Sequence, residues 1–171
     1  MRAQQSANSV SILIADDHEV ARRGLRAILE SEPDLYVVAE ASDGREALEK
    51  AKAYTPSVIL MDIGMPKMNG VEATRQLHKE LPEAQVLIIT MHFSEELLKE
   101  AMGAGAMGYL LKTDADSELV SAIHSLSRQQ CYFSPRFDCR ASGASGGKIK
   151  RRTDAQRTRG TAVAHGRPEQ R

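Results

Sequence analysis

Short apolar runs alternate along the chain with segments in which apolar residues recur at helical spacing. The runs Ile12 to Ala15, Val58 to Met61, Val86 to Ile89 and Gly108 to Leu111 are bounded by polar or turn residues, as buried parallel strands are. A further strand is predicted around Tyr36 to Ala39. Between the runs the period becomes helical: Ala21, Leu25, Ile28 and Leu29; Val71, Thr74, Leu77 and Leu81; Leu119, Val120, Ile123 and Leu126. A short helix carrying Ala47, Leu48 and Ala51 and another carrying Leu97, Leu98, Ala101 and Met102 complete the set. Strands and helices alternate, which predicts five βα units around a doubly wound, five-stranded parallel sheet.

What closes the apolar runs changes the picture from architecture to chemistry. The first ends at the acidic pair Asp16 and Asp17, the third strand at Asp62, the fourth at Thr90 and the fifth at Lys112. In an open α/β sheet ligands bind beyond the carboxyl ends of the strands, at the point where the strand order reverses. Taken singly, each residue has an ordinary explanation: the aspartates as caps of the first helix, Thr90 as a strand terminus, Lys112 as a solvated charge. Their joint occurrence at matching strand ends argues for one site.

The residue types are those that phosphoryl acceptance requires. Three carboxylates in one pocket repel, whereas a divalent cation makes their clustering favourable. Mg²⁺ fits, because it takes oxygen ligands, keeps several waters and pairs one or two carboxylates with phosphate oxygens. Phosphoryl transfer is mainly positioning and charge stabilisation. Asp62 would act as nucleophile and become an acyl phosphate. Mg²⁺, the Lys112 ammonium and the Thr90 hydroxyl would each hold one phosphoryl oxygen.

The stretches ILIADDHEVARRGLRAILE, VILMDIGMPKMNGVEATRQL and AGAMGYLLKTD occur in order and with the spacing of a known family. Over Val10 to Arg136 the chain resembles the receiver domains of two-component response regulators, particularly those of NarL/FixJ type. The resemblance implies a flavodoxin-like fold, (βα)5, with strand order 2-1-3-4-5. It implies that Asp62 accepts a phosphoryl group from a sensor histidine kinase. It also implies that Asp17, Asp62 and the Gly64 backbone carbonyl ligate Mg²⁺, with Asp16 acting through water, and that Thr90 and Tyr109 form a switch pair. Movement of Thr90 toward the new phosphoryl oxygen would vacate space into which Tyr109 rotates, biasing a two-state output surface. By the same analogy a homodimer could form through helices 1 and 5 or through the helix 4 to helix 5 face.

Some positions depart from the family's common pattern. Lys112 is followed by Thr113 rather than by a proline, so that turn must be set differently. Gly64, two residues after the nucleophile, leaves open space beside the phosphoryl group. His92, two after Thr90, could face the attacking water and tune the lifetime of the acyl phosphate, or be a surface histidine without a role. An aspartate-nucleophile phosphatase of haloacid-dehalogenase type needs a second aspartate where Gly64 stands, so a phosphoacceptor with at most weak autophosphatase activity is expected rather than a turnover enzyme.

Composition adds two points. Cys131 and Cys139 are the two cysteines, without the histidine spacing of a zinc site, so incidental thiols are expected. With no long apolar stretch and no signal-peptide core at the N-terminus, a cytoplasmic protein without membrane contact is expected.

The formal net charge of zero conceals an asymmetry: residues 1–136 carry 14 Lys and Arg against 20 Asp and Glu, whereas residues 137–171 carry 9 against 3. Residues 1–9 read as a disordered lead, 10–130 as the receiver, 131–136 as the start of a linker and 137–171 as a basic, low-complexity, disordered tail. Lys148, Lys150, Arg151, Arg152, Arg157 and Arg159 could neutralise nucleic-acid phosphates non-specifically. A different origin accounts for more of the tail. When Thr153 to Pro168 are written in suitable allowed codons and read one base later, they give LTPSAREVLQLLTEGR. That string resembles the opening of the LuxR-type helix-turn-helix domain that follows the receiver in this family, so the tail reads as its out-of-frame remnant. DNA binding is then expected only where an intact C-terminal domain exists. The alternatives are a stand-alone receiver acting through protein contacts and a degenerate pseudo-receiver.

Overall fold

A computed structural model describes residues 9–135. Most of the lead, Arg136 of the linker and the whole basic tail, with its proposed out-of-frame remnant and Cys139, lie outside the described residues. The strands are β1 (Val10–Ala15), β2 (Leu35–Ala41), β3 (Val58–Asp62), β4 (Gln85–Thr90), β5 (Gly108–Leu111) and β6 (Tyr132–Phe133). The helices are α1 (Glu19–Glu30), α2 (Gly44–Tyr54), α3 (Gly70–Glu80), α4 (Glu95–Ala104) and α5 (Ala115–Ser127). The sheet is parallel throughout, in the order β2-β1-β3-β4-β5-β6. The predicted parallel α/β architecture and the order 2-1-3-4-5 are therefore present, but the strand count is six rather than five.

The sixth strand lies in the segment expected to begin the linker. The Tyr132 N–H donates to the Met107 carbonyl at 3.1 Å, and Tyr132 and Phe133 pair with Gly108 and Tyr109. This occupies backbone groups on the outer edge of β5 that would otherwise face solvent. Gly108 permits the approach, because a Cβ there would stand 2.8 Å from the Tyr132 carbonyl oxygen. A two-residue strand is too short to leave a periodic signal.

Alternation along each strand sends side chains to opposite faces and builds two cores. Ile12, Ile14, Leu60, Leu87 and Ile89 meet Leu25 and Leu29 of α1 and Leu119, Ile123 and Leu126 of α5. Leu13, Ile59, Met61, Ile88 and Tyr109 meet Leu48 of α2, Leu77 of α3 and Ala101 of α4. Each fully buried Leu or Ile contributes about 1.5–3 kcal/mol, so the two-sided sheet is the main source of stability. Local signals set where the helices start. Asp43 caps α2 by accepting from the N–H groups of Arg45 and Glu46, Asn69 caps α3 through Glu72, and Ser94 caps α4 through Leu97.

Candidate phosphoacceptor and metal site

Because β1, β3, β4 and β5 run parallel and in register, their carboxyl ends form one edge. Asp62 pairs with Ile89, and Thr90 pairs with Leu111, which places Asp16, Asp62, Thr90 and Lys112 along that edge. Asp16 is fully buried, while Asp62 and Thr90 are buried with only slight exposure. Neither aspartate of the first pair caps α1. His18 holds that position without a side-chain cap, and Asp16 Oδ1 instead accepts its N–H at 2.9 Å.

The Lys112 ammonium stands between two carboxylates, 2.5 Å from Asp16 Oδ2 and 3.3 Å from Asp62 Oδ1. The first is a close ion pair without hydrogen-bond alignment, so the buried Asp16 Oδ2 has no hydrogen-bond partner. Burial pushes the Asp62 carboxyl up from its ordinary value. The Lys112 charge opposes that shift and the negative charges of Asp16 and Asp17 add to it. One ammonium therefore leaves the carboxylates incompletely compensated.

Carboxylate oxygens of Asp16, Asp17 and Asp62 and a ring nitrogen of His18 lie within 4.8 Å of one another. Three carboxylates gathered around a single ammonium fit a hard divalent cation such as Mg²⁺. His18 is the member that sequence reasoning missed, although it directly follows the acidic pair. Its Nδ1 lies 3.0 Å from Asp17 Oδ1 and 3.4 Å from Asp16 Oδ1.

The loops that carry these residues are themselves held. Arg22 donates to the Asp16 carbonyl at 2.6 Å and to Glu40 at 3.2 Å, clamping the end of β1 to β2. After Asp62, the Gly70 N–H donates to the Ile63 carbonyl at 3.0 Å, and a Cβ on Gly70 would collide with the Asp62 carbonyl. Lys67, at φ 63°, reaches across to Asp43 at 2.9 Å and ties this loop to the start of α2. A Cβ added at Gly64 would meet nothing within 4 Å, so space beside Asp62 is open. Lys112–Asp114 form a 3₁₀ turn into α5, which sets the turn after the lysine without proline.

Tyr109 is fully buried, its hydroxyl 3.5 Å from the His92 carbonyl, and Thr90 Oγ1 lies 3.5 Å from the same oxygen. The His92 side chain is exposed, so it is through its backbone that His92 joins Thr90 to Tyr109. A cleft of about 520 Å³ lined by Pro56, Glu80 and Gln85 lies toward the opposite edge of the sheet and includes none of these residues.

A family profile described as "Response regulator receiver domain" matches residues 12–124. The transcriptional regulatory protein DegU of Brevibacillus brevis is 43% identical over 137 residues, covering 80% of this chain and 58% of DegU. The transcriptional regulatory protein LiaR of Bacillus subtilis is 38% identical over 134 residues, covering 78% of this chain and 62% of LiaR. The chain thus spans about three-fifths of the length of these relatives. Among solved structures, a LuxR-family two-component response regulator from Aurantimonas sp. SI85-9A1 superposes with a TM-score of 0.72 at 37% identity, covering 75% of this chain and 91% of that one. With a profile that matches most of its length and relatives of this identity, the chain belongs to the response regulator receiver family.

Proposed function

We propose that the chain is the phosphoacceptor of a two-component relay, with Asp62 as the residue that carries the phosphoryl group. An Asp62 carboxylate oxygen attacks the phosphorus of a phosphohistidine on a sensor kinase, the P–N bond breaks, and the departing imidazole takes up a proton. Lys112 holds one phosphoryl oxygen and Thr90 another. Asp17, Asp62 and the Gly64 carbonyl are the residues to hold Mg²⁺, with Asp16 through water, and the ion when bound supplies charge neutralisation at the phosphoryl group. The observation that carries this reading is the buried Asp62 carboxylate, raised in pKa and sharing one ammonium with Asp16.

The output is a change at the Thr90–Tyr109 pair, whose shared contact with the His92 carbonyl gives the hydroxyl of Thr90 a route to the aromatic ring. The chain acts by accepting and slowly losing one phosphoryl group rather than by turning over substrate. The two curated relatives described above are transcriptional regulatory proteins, and DNA binding belongs to a form of this protein with an intact C-terminal domain. The out-of-frame reading of Thr153 to Pro168 is checked in the coding DNA. A frame there that does not yield LTPSAREVLQLLTEGR removes it. The setting is cytoplasmic, which agrees with the finding that no helix among the described residues is long and apolar enough to cross a membrane. Pairing of two copies is part of the same reading and is read out by sizing. Action through protein contact alone is a second reading, favoured by exposed Met91 and Phe93, the latter edge-on to Tyr109 at 6.4 Å.

Incubation with acetyl phosphate and Mg²⁺, followed by intact mass, tests the proposal. One acid-labile phosphoryl adduct that disappears in Asp62→Asn is expected. An unmodified chain, or an adduct that survives that substitution, rejects it.

A further inference from the structure

The loop from Ile63 to Asn69 carries the Gly64 carbonyl that the proposed function assigns to the ion, and its two ends are held in different ways. At the near end the Ile63 carbonyl accepts the N–H groups of Met65 and Gly70, each at 3.0 Å, and Met65 is buried in the core. At the far end the Met68 N–H donates to the Pro66 carbonyl at 2.7 Å, across Lys67, whose φ of 63° is left-handed. A three-residue turn of this hand is rare and strained, and a residue with a side chain keeps it only where its surroundings impose it.

Those surroundings belong to α2. The Gly44 N–H donates to the Met68 carbonyl at 3.1 Å, and a Cβ on Gly44 would collide with that same oxygen, so a glycine is needed for the two backbones to meet. Beside it Asp43 divides its carboxylate. Oδ1 accepts the N–H groups of Arg45 and Glu46 at 2.9 Å and caps the helix, while Oδ2 accepts the Lys67 ammonium at 2.9 Å. Asp43 is buried, and the bonds from the Glu46 N–H and from Lys67 hold its carboxyl below its ordinary value, so it is charged at neutral pH. Asparagine caps a helix as well as aspartate does, so capping alone does not call for a carboxylate. The second oxygen serves the loop.

We infer that Asp43 and Lys67 are positioning residues for the phosphoacceptor site: their ion pair, with the Gly44–Met68 bond beside it, presets the loop that bears Gly64 before the ion arrives. Neither residue belongs to the carboxylate cluster. The Lys67 side chain is exposed, so the pair counts for little in overall stability, and its effect falls on where the loop sits. A ligand already in place does not have to be ordered by the ion, so presetting the loop raises affinity for Mg²⁺. The inference rests on the proposed function, with Asp62 as phosphoacceptor and the Gly64 carbonyl as a ligand.

Calorimetric titration of the full chain with Mg²⁺, in wild type, Asp43→Asn, Lys67→Met, Lys67→Arg and the double variant Asp43→Asn/Lys67→Met, tests the inference. Asp43→Asn removes a negative charge and Lys67→Met a positive one, so a purely electrostatic influence on the ion lowers affinity in the first and raises it in the second. Positioning lowers it in both. The expected loss is about tenfold, at the lower end of what lost outer partners of a metal site cost. The double variant should lose no more than either single, because one contact is broken in all three, and Lys67→Arg should keep most of the affinity. In the metal-free single variants the Gly44 amide hydrogen should exchange faster with solvent while the urea midpoint stays close to wild type. With acetyl phosphate as donor, the Mg²⁺ concentration for half-maximal phosphorylation should rise by the same factor and the rate at saturating Mg²⁺ should be kept. Affinities that shift in opposite directions, or that do not shift, overturn the inference while leaving the metal site standing. A collapse of the urea midpoint in Lys67→Met, which leaves the helix cap untouched, makes the pair a structural one and also overturns it. Absence of Mg²⁺ binding in wild type removes the underlying metal site, and the inference with it.

Discussion

The hydroxyls of Thr90 and Tyr109 face one acceptor, the His92 carbonyl, each from 3.5 Å. That distance is at the outer limit of a hydrogen bond, so neither contact is strong and the carbonyl can exchange one partner for the other. Burial pushes the Tyr109 phenol up in pKa, which keeps it protonated as a donor, and the Ser94 backbone N–H offsets this only in part.

Tyr109→Phe separates the hydroxyl from the ring. Stability should fall by only about 1–2 kcal/mol, because the hydroxyl's contacts with the His92 carbonyl and the Ser94 N–H are lost while apolar burial is kept. Tyr109→Ala should cost about 3–5 kcal/mol through the cavity it leaves. Urea unfolding of the two variants measures the difference, and equal losses would place the contribution of Tyr109 in its hydroxyl instead.

Asp62→Asn should stabilise the metal-free protein. A carboxyl whose folded pKa is raised contributes a penalty above that pKa, and the penalty disappears as pH falls below the unfolded value. The amide removes the penalty at neutral pH. In wild type, Mg²⁺ at about 100 times its Kd should add about 2.7 kcal/mol, and the variant should lose most of that gain. Thermal unfolding with and without Mg²⁺ checks both signs.

Two glycines near the nucleophile should respond oppositely to alanine. Gly70→Ala forces a Cβ against the Asp62 carbonyl and should cost about 1–3 kcal/mol or more. Gly64→Ala enters open space and should change stability by no more than about 0.5 kcal/mol. Denaturation midpoints of the pair decide the matter.

His92→Ala leaves the backbone carbonyl in place and removes only an exposed ring. Stability should stay within about 0.5 kcal/mol, while the decay of the acid-labile phosphoryl adduct should change severalfold. An unchanged decay rate restricts His92 to its backbone contacts.

The Glu46 carboxyl, held down to about 2 chiefly by the Lys50 ammonium and then by the Ser42 N–H, sets part of the acid limb. A depressed carboxyl contributes stability that is complete above its unfolded value of 4.5 and is lost as pH falls toward 2. Glu46→Gln should flatten the fall in urea midpoint across that window. The ion pair is partly exposed, so the effect should also shrink in high salt.

Much of the site is legible in the sequence. Buried parallel strands must be continuous apolar runs, so the polar residues that end them, Asp16, Asp62, Thr90 and Lys112, mark the sheet edge where a ligand can sit. The Asp43, Asn69 and Ser94 caps are equally local, since each side chain bonds a backbone group two or three residues away. The two faces of β1 follow from strand alternation, which sends Ile12 and Ile14 into one core and Leu13 into the other.

Other features arise only when distant segments meet. The pairing of Tyr132 with Gly108 depends on α5 returning the chain to the edge of β5, and two residues carry no period of their own. The Lys67–Asp43 ion pair spans 24 positions and the Tyr109–His92 contact 17, so neither leaves a pattern in a local window. His18 is adjacent to its acidic neighbours in the chain, yet its N–H is held by the Asp16 carboxylate at the strand end while its ring meets Asp17 Oδ1 at 3.0 Å. Side-chain period and capping chemistry act over a few residues, whereas these contacts exist because packing of the two cores brings remote backbone segments to one edge.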